Sequence, residues 1–116
     1  MKHKIQRRRF DMPTSQRMAM LRNLTTDVLK YGYVKTTEAR AKELRRLVER
    51  MITLGKKDDY LAKKKAAGFI YDKNTVKKLF IEIAPKYSDR SGGYTRIIRK
   101  GFRPGDGAEI VILELI

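Results

Sequence analysis

The sequence contains no cysteine and no tryptophan, and its only histidine is His3. Without cysteine the chain has no disulfides, no thiol nucleophile and no thiolate metal ligands, and nothing indicates an oxidising compartment. His3 has no second histidine or pair of carboxylates at motif spacing, which acid–base catalysis and metal binding would need. We therefore expect no enzyme, no catalytic residue, no metal, no cofactor and no small-molecule substrate.

Long apolar segments are also missing. No stretch approaches the roughly 18 apolar residues that a membrane helix needs. The basic residues 1–9 are not followed by an apolar segment, so we infer no secretory signal. A basic amphipathic helix could still bind a lipid surface, but the chain lacks a helix face rich in Trp or Phe. We expect no membrane partner and a cytoplasmic location.

Negative charge is scarce. The 116 residues include 28 Lys and Arg but only 13 Asp and Glu, which gives a formal net charge of +15. Such an excess is self-repulsive and favours binding to a polyanion. The length suits a single domain, and 41% hydrophobic residues suffice for one core. Nucleic acid is therefore the partner that composition favours.

Residues 1–12 form a basic extension with five Lys and Arg and a single acid, Asp11. Too few apolar side chains are present to offset the entropy of ordering, so we expect the isolated extension to be disordered. Such a segment could insert between crowded phosphates, although a merely solubilising tail is the alternative. The candidate nucleic-acid contacts in it are Lys2, His3, Lys4, Arg7, Arg8 and Arg9.

Residues 13–116 are expected to form one α+β domain, whose first half is predicted as helix, strand and helix. Apolar residues recur at helical spacing in both helices, and capping residues set the boundaries. The expected features are an N-cap at Ser15, a helix over 16–31, a stop at Gly32, a strand over 33–36, an N-cap at Thr37, and a helix over 38–54 that Gly55 ends.

The second half is predicted as two helices and a β-hairpin. The expected features are a third helix capped by Asp58 or Asp59, a fourth capped by Asp72 or Asn74 that ends before Pro85, and strands over 94–100 and 108–116 around a basic turn. The last strand is apolar on nearly both faces, so we place it centrally, covered on each side and paired with the strand near Val34. The order α-β-α-α-α-β-β predicts two layers, a small mixed sheet with helices on one side.

Two further surfaces carry candidate contacts. The second helix has a basic polar face, although such faces are usually only solvated. Residues 89–96 place two Arg and a Tyr around Gly92 and Gly93, whose bare backbone would let an RNA strand approach closely. Hairpin chemistry explains these glycines equally well, so both interpretations stay open.

Several strings along the chain are familiar: VKTTEARAKELRR at 34–46, ITL at 52–54, KLF at 78–80 and RSGGYTRI at 90–97. Together with the opening Met1-Lys2-His3 and the closing GDGA at 105–108, they resemble the L17 family of bacterial large-subunit ribosomal proteins. The resemblance covers essentially the whole chain. It departs from the family at Gln16, where members tend to have His, and at 8–12.

The resemblance implies a structural protein that binds and stabilises large-subunit rRNA beside neighbouring ribosomal proteins, on the outer side of the subunit towards the peptide exit region. The RNA contacts that it implies at matching positions are Arg17, Arg22, Lys35, Arg40, Lys42, Arg45, Arg46, Arg90, Tyr94, Thr95 and Arg96. The basic helix face and the glycine-rich turns add Arg50, Gly92, Gly93 and Arg103. A free nucleoid or regulatory protein is the alternative, although the chain has no motif of a known groove-reader.

Overall fold

A computed structural model describes residues 13–116, and the predicted basic extension 1–12 lies outside them. The elements are α1 (Thr14–Tyr31), β1 (Tyr33–Thr37), α2 (Glu38–Lys57), α3 (Tyr60–Phe69), α4 (Lys73–Lys78), a π-helical turn (Leu79–Ile83), α5 (Ala84–Lys86), β2 (Thr95–Phe102) and β3 (Glu109–Leu115). The segments from α4 to α5 follow one another without interruption, so together they form the fourth helix. The predicted α+β class and order of elements are confirmed.

The three strands form one sheet in the order β1-β3-β2. Leu113 of β3 pairs with Val34 on one side and with Ile97 on the other. The central position of β3 and its pairing with the strand at Val34 are therefore as predicted. The sheet is antiparallel throughout rather than mixed, because β3 returns from a hairpin and runs opposite to both of its neighbours.

The two faces of β3 differ in burial. Val111 and Leu113 are fully buried in the core with the helices, whereas Ile110 and Ile112 are only half-buried. Successive side chains of a strand point to opposite faces, so these two pairs define a helix-covered face and an open face. The expected cover on both sides of β3 is not observed in the described chain.

Helix α2 lies at the centre of the core. Its residues Leu44, Val48 and Ile52 are fully buried and recur every fourth position, so they form one apolar stripe. The helix contacts α1, α3, the π-helical turn and all three strands. Its opposite face stays in solvent and carries the basic side chains.

Several predicted helix ends are confirmed. Gly32 ends α1 with a left-handed φ of 89°, which glycine adopts without a steric penalty. The side chains of Thr37, Asp59 and Asp72 each accept a hydrogen bond from a backbone N–H in the first turn of the following helix. Each of these helix ends depends on only a few adjacent residues, so the sequence alone could predict it.

Two other predicted ends are wrong. Helix α1 begins directly after Pro13, whose carbonyl accepts from the Arg17 N–H at 2.9 Å, and Ser15 does not cap it. Helix α2 does not stop at Gly55 but continues to Lys57, and Asp58 forms its left-handed end with φ 51°. Gly55 is buried within the helix, because the fourth helix packs directly against it.

The fourth helix also runs past Pro85, where we expected it to have ended. In the π-helical turn the Ala84 N–H donates to the Leu79 carbonyl, five residues earlier. Proline lacks an N–H and clashes with the usual i−4 carbonyl, and the wider turn just before it removes that conflict. The helix therefore continues to Lys86.

Candidate nucleic-acid interface

Ion pairs divide the predicted contacts into two groups. Five form pairs with carboxylates, namely Lys42 with Glu38 (3.9 Å), Arg45 with Glu49 (3.8 Å), Arg46 with Glu43 (3.5 Å), Arg96 with Glu114 (2.5 Å) and Arg103 with Asp106 (2.7 Å). Within residues 13–116, six others have no carboxylate in ion-pair distance: Arg17, Arg22, Lys35, Arg40, Arg50 and Arg90. The guanidiniums of Arg22 and Arg90 donate to backbone carbonyls instead. The second group holds positive charge that the described chain does not balance.

One basic surface lies between α1 and α2. Arg17, Arg46 and Arg50 line a narrow crevice there, and we call these three residues the arginine cluster. Arg17 belongs to the first turn of α1, close to Pro13, where the extension 1–12 joins the described chain. The cluster therefore lies beside the point at which the basic extension is attached.

A second basic surface lies at one end of the sheet, where β1 passes into α2. A groove of about 540 Å³ is lined there by Lys35 from β1, Arg40 from α2, and Lys100, Phe102 and Arg103 from the hairpin. We call it the hairpin groove. The Phe102 side chain at its border is 73% exposed. The sequence indicated Lys35, Arg40 and Arg103, but Lys100 and Phe102 were missed because they follow no helical or motif spacing.

A β-bulge shapes this end of the hairpin. The pairing of β2 with β3 shifts between Arg99 and Gly101, and Gly101 has φ 134°, a conformation that favours glycine. Bulges of this kind bend a strand and redirect its side chains. Strand β2 thus continues to Phe102, beyond the predicted end at 100.

The tip of the hairpin is closed by Arg103 and Asp106. The guanidinium of Arg103 donates to both carboxylate oxygens of Asp106, at 3.0 and 2.7 Å. This contact holds the pKa of the Asp106 carboxyl well below its usual range and raises the pKa of Arg103. One carboxylate oxygen of Asp106 also accepts from the Ala108 N–H at 3.1 Å, which fixes the turn.

Two predicted contacts, Tyr94 just before β2 and Thr95 at its first position, are buried within the protein. Tyr94 is 1% exposed and Thr95 is 2% exposed. The Thr95 hydroxyl donates to Glu49 at 2.9 Å, and Lys56 donates to the Tyr94 hydroxyl at 3.0 Å. In this structure both side chains anchor the loop to α2 instead of facing outward.

The rest of that loop stays on the surface. Gly92, Gly93 and Arg90 are exposed, and the Arg90 guanidinium donates to the Gly93 carbonyl at 2.9 Å. The Gly93 N–H donates to Glu49 at 3.3 Å. The loop therefore presents an open glycine backbone in a shape that hydrogen bonds hold.

Arg22 also has partners inside the protein. Its guanidinium donates to the carbonyls of Phe69 and Gly68 at 2.9 and 2.6 Å, and it lies 4.2 Å from the centre of the Tyr71 ring. Carbonyls at the end of a helix have no partner within the helix, and a cation there is favourable. Arg22 thus joins α1 to the end of α3.

The remaining predicted site residues, Lys2, His3, Lys4, Arg7, Arg8 and Arg9, lie outside the described residues. Within residues 13–116 no three Asp, Glu or His side chains form a group that could hold a metal ion. In the same part of the chain, no helix combines the length and the apolar character needed to cross a membrane.

Comparisons with known proteins find similarity to ribosomal proteins. Residues 20–116 match the family described as ribosomal protein L17. The large ribosomal subunit protein bL17 of Thermoanaerobacter sp. (strain X514) is 61% identical over 109 residues, which cover 94% of this chain and 97% of that protein. Proteins of the same name from Clostridium beijerinckii and Caldanaerobacter subterraneus are 57% and 54% identical over 109 residues, which cover 94% of this chain and 96% and 97% of theirs.

Proposed function

The chain belongs to the ribosomal protein L17 family, and from this premise we propose that it binds and stabilises the rRNA of the large ribosomal subunit. Membership makes it a structural ribosomal protein and not an enzyme. The proposed partners are large-subunit rRNA and neighbouring ribosomal proteins, and the proposed location is the ribosome in the cytoplasm.

The observation that carries RNA binding is the set of cations without internal counter-charge. Arg17 and Arg50 in the arginine cluster, and Lys35 and Arg40 in the hairpin groove, have no carboxylate in ion-pair distance among the described residues. Phosphates would supply the missing negative charge, and guanidinium groups bind phosphate oxygens in a forked geometry. These residues are the primary RNA contacts in our proposal.

The extension 1–12 is the third proposed contact region. It joins the chain beside Arg17, so its five cations continue the charge of the arginine cluster along the sequence. Several cations close together in sequence can neutralise several neighbouring phosphates. We propose that Lys2, His3, Lys4, Arg7, Arg8 and Arg9 contact rRNA in this way.

The ion-paired cations are secondary contacts in this proposal. Exposed ion pairs are worth only about 0–1 kcal/mol, so a phosphate can replace the carboxylate at little cost. This applies to Lys42, Arg45, Arg96 and Arg103, whereas the partner of Arg46, Glu43, is buried. The open backbone of Gly92 and Gly93 with Arg90 adds a further contact, while Arg22, Tyr94 and Thr95 act by holding elements in place.

The test is the salt dependence of rRNA binding by the full chain. The logarithm of the binding constant should fall linearly with the logarithm of salt concentration, and each lost phosphate contact should reduce that slope by about 1. The double variant Arg17→Gln, Arg50→Gln should lose about 2 from the slope. The control Lys64→Gln, Lys65→Gln removes the same charge from the exposed side of α3. It should reduce the slope by less than half as much as the double arginine variant does.

Equal slopes for the two double variants would mean that net charge alone drives binding and that the arginine cluster is not a site. Indifference of the unmodified chain to large-subunit rRNA would overturn the proposal. Equal affinity for duplex DNA, together with absence from ribosomal particles in co-sedimentation, would favour a free nucleic-acid-binding protein.

A further inference from the structure

We propose that the hairpin groove binds an unpaired nucleotide of RNA, with the base stacked on Phe102 and the phosphates held by Lys35, Arg40 and Lys100. This inference rests on the proposed rRNA binding and specifies its ligand at one surface. It selects single-stranded or looped-out RNA over a regular duplex.

The exposure of the Phe102 ring is the first observation. Its side chain is 73% exposed, although phenylalanine has no polar atom to interact with water. Phe69, Phe80 and Tyr94 each have a cation over the ring, from Arg22, Lys63 and Lys56 respectively. Within the described chain no ring or cation lies over Phe102. Its aromatic surface is therefore available to a flat partner.

The charge around that ring is the second observation. Lys35, Arg40 and Lys100 line the same groove, and none of them has a carboxylate in ion-pair distance among residues 13–116. Arg103 adds a fourth cation, balanced by Asp106. Proteins that bind single-stranded nucleic acid combine a positive groove with aromatic side chains on which bases stack. Both components are present in the hairpin groove.

The backbone brings these residues together from distant parts of the chain. Lys35 is paired with Ile112 and Gly101 with Ile110, so Lys35 and Gly101 lie on the open face of the sheet. After the bulge, Phe102 is paired with Glu109 and so lies on the opposite face, and the groove takes residues from both faces at this end of the sheet. At about 540 Å³ the groove lies within the range of about 300–1,000 Å³ that is typical of small-ligand sites.

Stacking on Phe102 requires a ligand with an exposed base face. Bases in an RNA duplex are already stacked on their neighbours, so they offer no free face to a side chain. An acidic protein segment would match the charge of the groove but has no base to place on the ring. An unpaired nucleotide can bind the cations through its phosphates and stack its base on Phe102.

The experiment compares binding of the full chain to a ten-nucleotide oligoadenylate and to a ten-base-pair RNA duplex at one salt concentration. Phe102→Ala and Phe102→Leu should each lower oligoadenylate affinity about 5- to 150-fold, as expected for loss of one stacked base, and change duplex affinity little. The control Tyr60→Ala removes another exposed aromatic ring, on α3, and should leave both affinities unchanged. Because Phe102 is exposed, the variants should melt at the temperature of the unmodified chain.

A third variant reports stacking directly. The chain has no tryptophan, so Phe102→Trp introduces a single indole. Its fluorescence should be quenched when oligoadenylate binds, with affinity retained. A base stacked on the indole would produce this quenching, whereas simple charge attraction near the hairpin would not.

The outcomes separate this inference from the proposed function. Unchanged oligoadenylate affinity of Phe102→Ala, or full affinity of Phe102→Leu, would overturn the stacking assignment while binding to large-subunit rRNA stands. A polyglutamate peptide that binds the unmodified chain and loses as much affinity in Phe102→Ala would show that the groove takes acidic protein segments instead. If the unmodified chain does not bind large-subunit rRNA, the proposed function and this inference both fail.

Discussion

Gly55 of α2 lies directly against Ala84 of the fourth helix. A Cβ atom on Gly55 would be 2.8 Å from the Cβ of Ala84 and 3.3 Å from the Cγ of Leu79. The first distance is shorter than real Cβ contacts, so the missing side chain of Gly55 sets how closely the two helices approach.

We predict that Gly55→Ala destabilises the protein. In an exposed helix this change would contribute about 1 kcal/mol of stability, but overpacking a tight core contact costs about 1–3 kcal/mol. The net result should be a lower midpoint in urea unfolding. Gly68→Ala in α3 is the matched control, because nothing lies within 4 Å of the added methyl group. It should be neutral or stabilising, and equal gains from both variants would contradict the close contact.

Gly55 also shows which parts of the fold the sequence could predict. Gly32 and Thr37 were assigned correctly because a left-handed stop and an N-cap depend on a few adjacent residues. Judged only from its neighbours in the sequence, Gly55 also resembles a helix end. Its actual role depends on Ala84, 29 positions later, and on the π-helical turn that brings the fourth helix against α2.

The residues of the candidate site also include some that the sequence could predict and some that it could not. Lys35 and Arg40 could be proposed from the family resemblance, and the structure places both of them at the hairpin groove. Phe102 could not be proposed, since its exposure depends on a bulge and on the strands with which β2 pairs. Tyr94 illustrates the reverse case, because nothing in its local sequence shows that α2 buries it.

A second prediction concerns Arg22. The variant Arg22→Lys keeps the charge but loses the forked contact with the carbonyls of Gly68 and Phe69. We expect a loss of about 1 kcal/mol in the free energy of unfolding, since a lysine replaces only part of such a contact. Arg45→Lys, at an exposed ion pair, should leave stability unchanged. Reduced RNA affinity of Arg22→Lys at unchanged stability would instead make Arg22 a direct RNA contact.

A third prediction uses the cap of α4. The pKa of Asp72 is lowered from 3.8, first by the Thr75 hydroxyl that donates to it and then by the Asn74 N–H, with a smaller contribution from Lys30. A lowered folded pKa means that the ionised cap stabilises the protein above about pH 4 and loses this effect as the pH falls through the folded pKa.

The variant Asp72→Asn tests this linkage, because asparagine is as good an N-cap as aspartate but does not ionise. The unmodified chain should be the more stable of the two at pH 6, and the difference should shrink steadily as the pH is lowered towards 2. Thermal melting at a series of pH values measures it. A difference that is independent of pH would show that the charge of Asp72 does not contribute.

The last prediction separates two arginines of the same cluster. Arg46 lies 3.5 Å from Glu43, whose side chain is only 5% exposed, whereas Arg50 has no carboxylate in ion-pair distance among the described residues. Arg46→Glu would place a second negative charge against a buried carboxylate, so we expect a loss of about 1–3 kcal/mol in stability. Arg50→Glu should stay within about 0.5 kcal/mol of the unmodified chain.

Both changes remove positive charge from the arginine cluster, so both should weaken rRNA binding at fixed salt. Melting and RNA titration of the same two preparations distinguish the roles. Arg50→Glu should fold normally and bind rRNA poorly, which would identify Arg50 as a residue that serves binding alone. If the two variants lose the same stability, the burial of Glu43 does not make Arg46 more sensitive to charge reversal than Arg50. If Arg50→Glu binds RNA normally, Arg50 is not part of the interface.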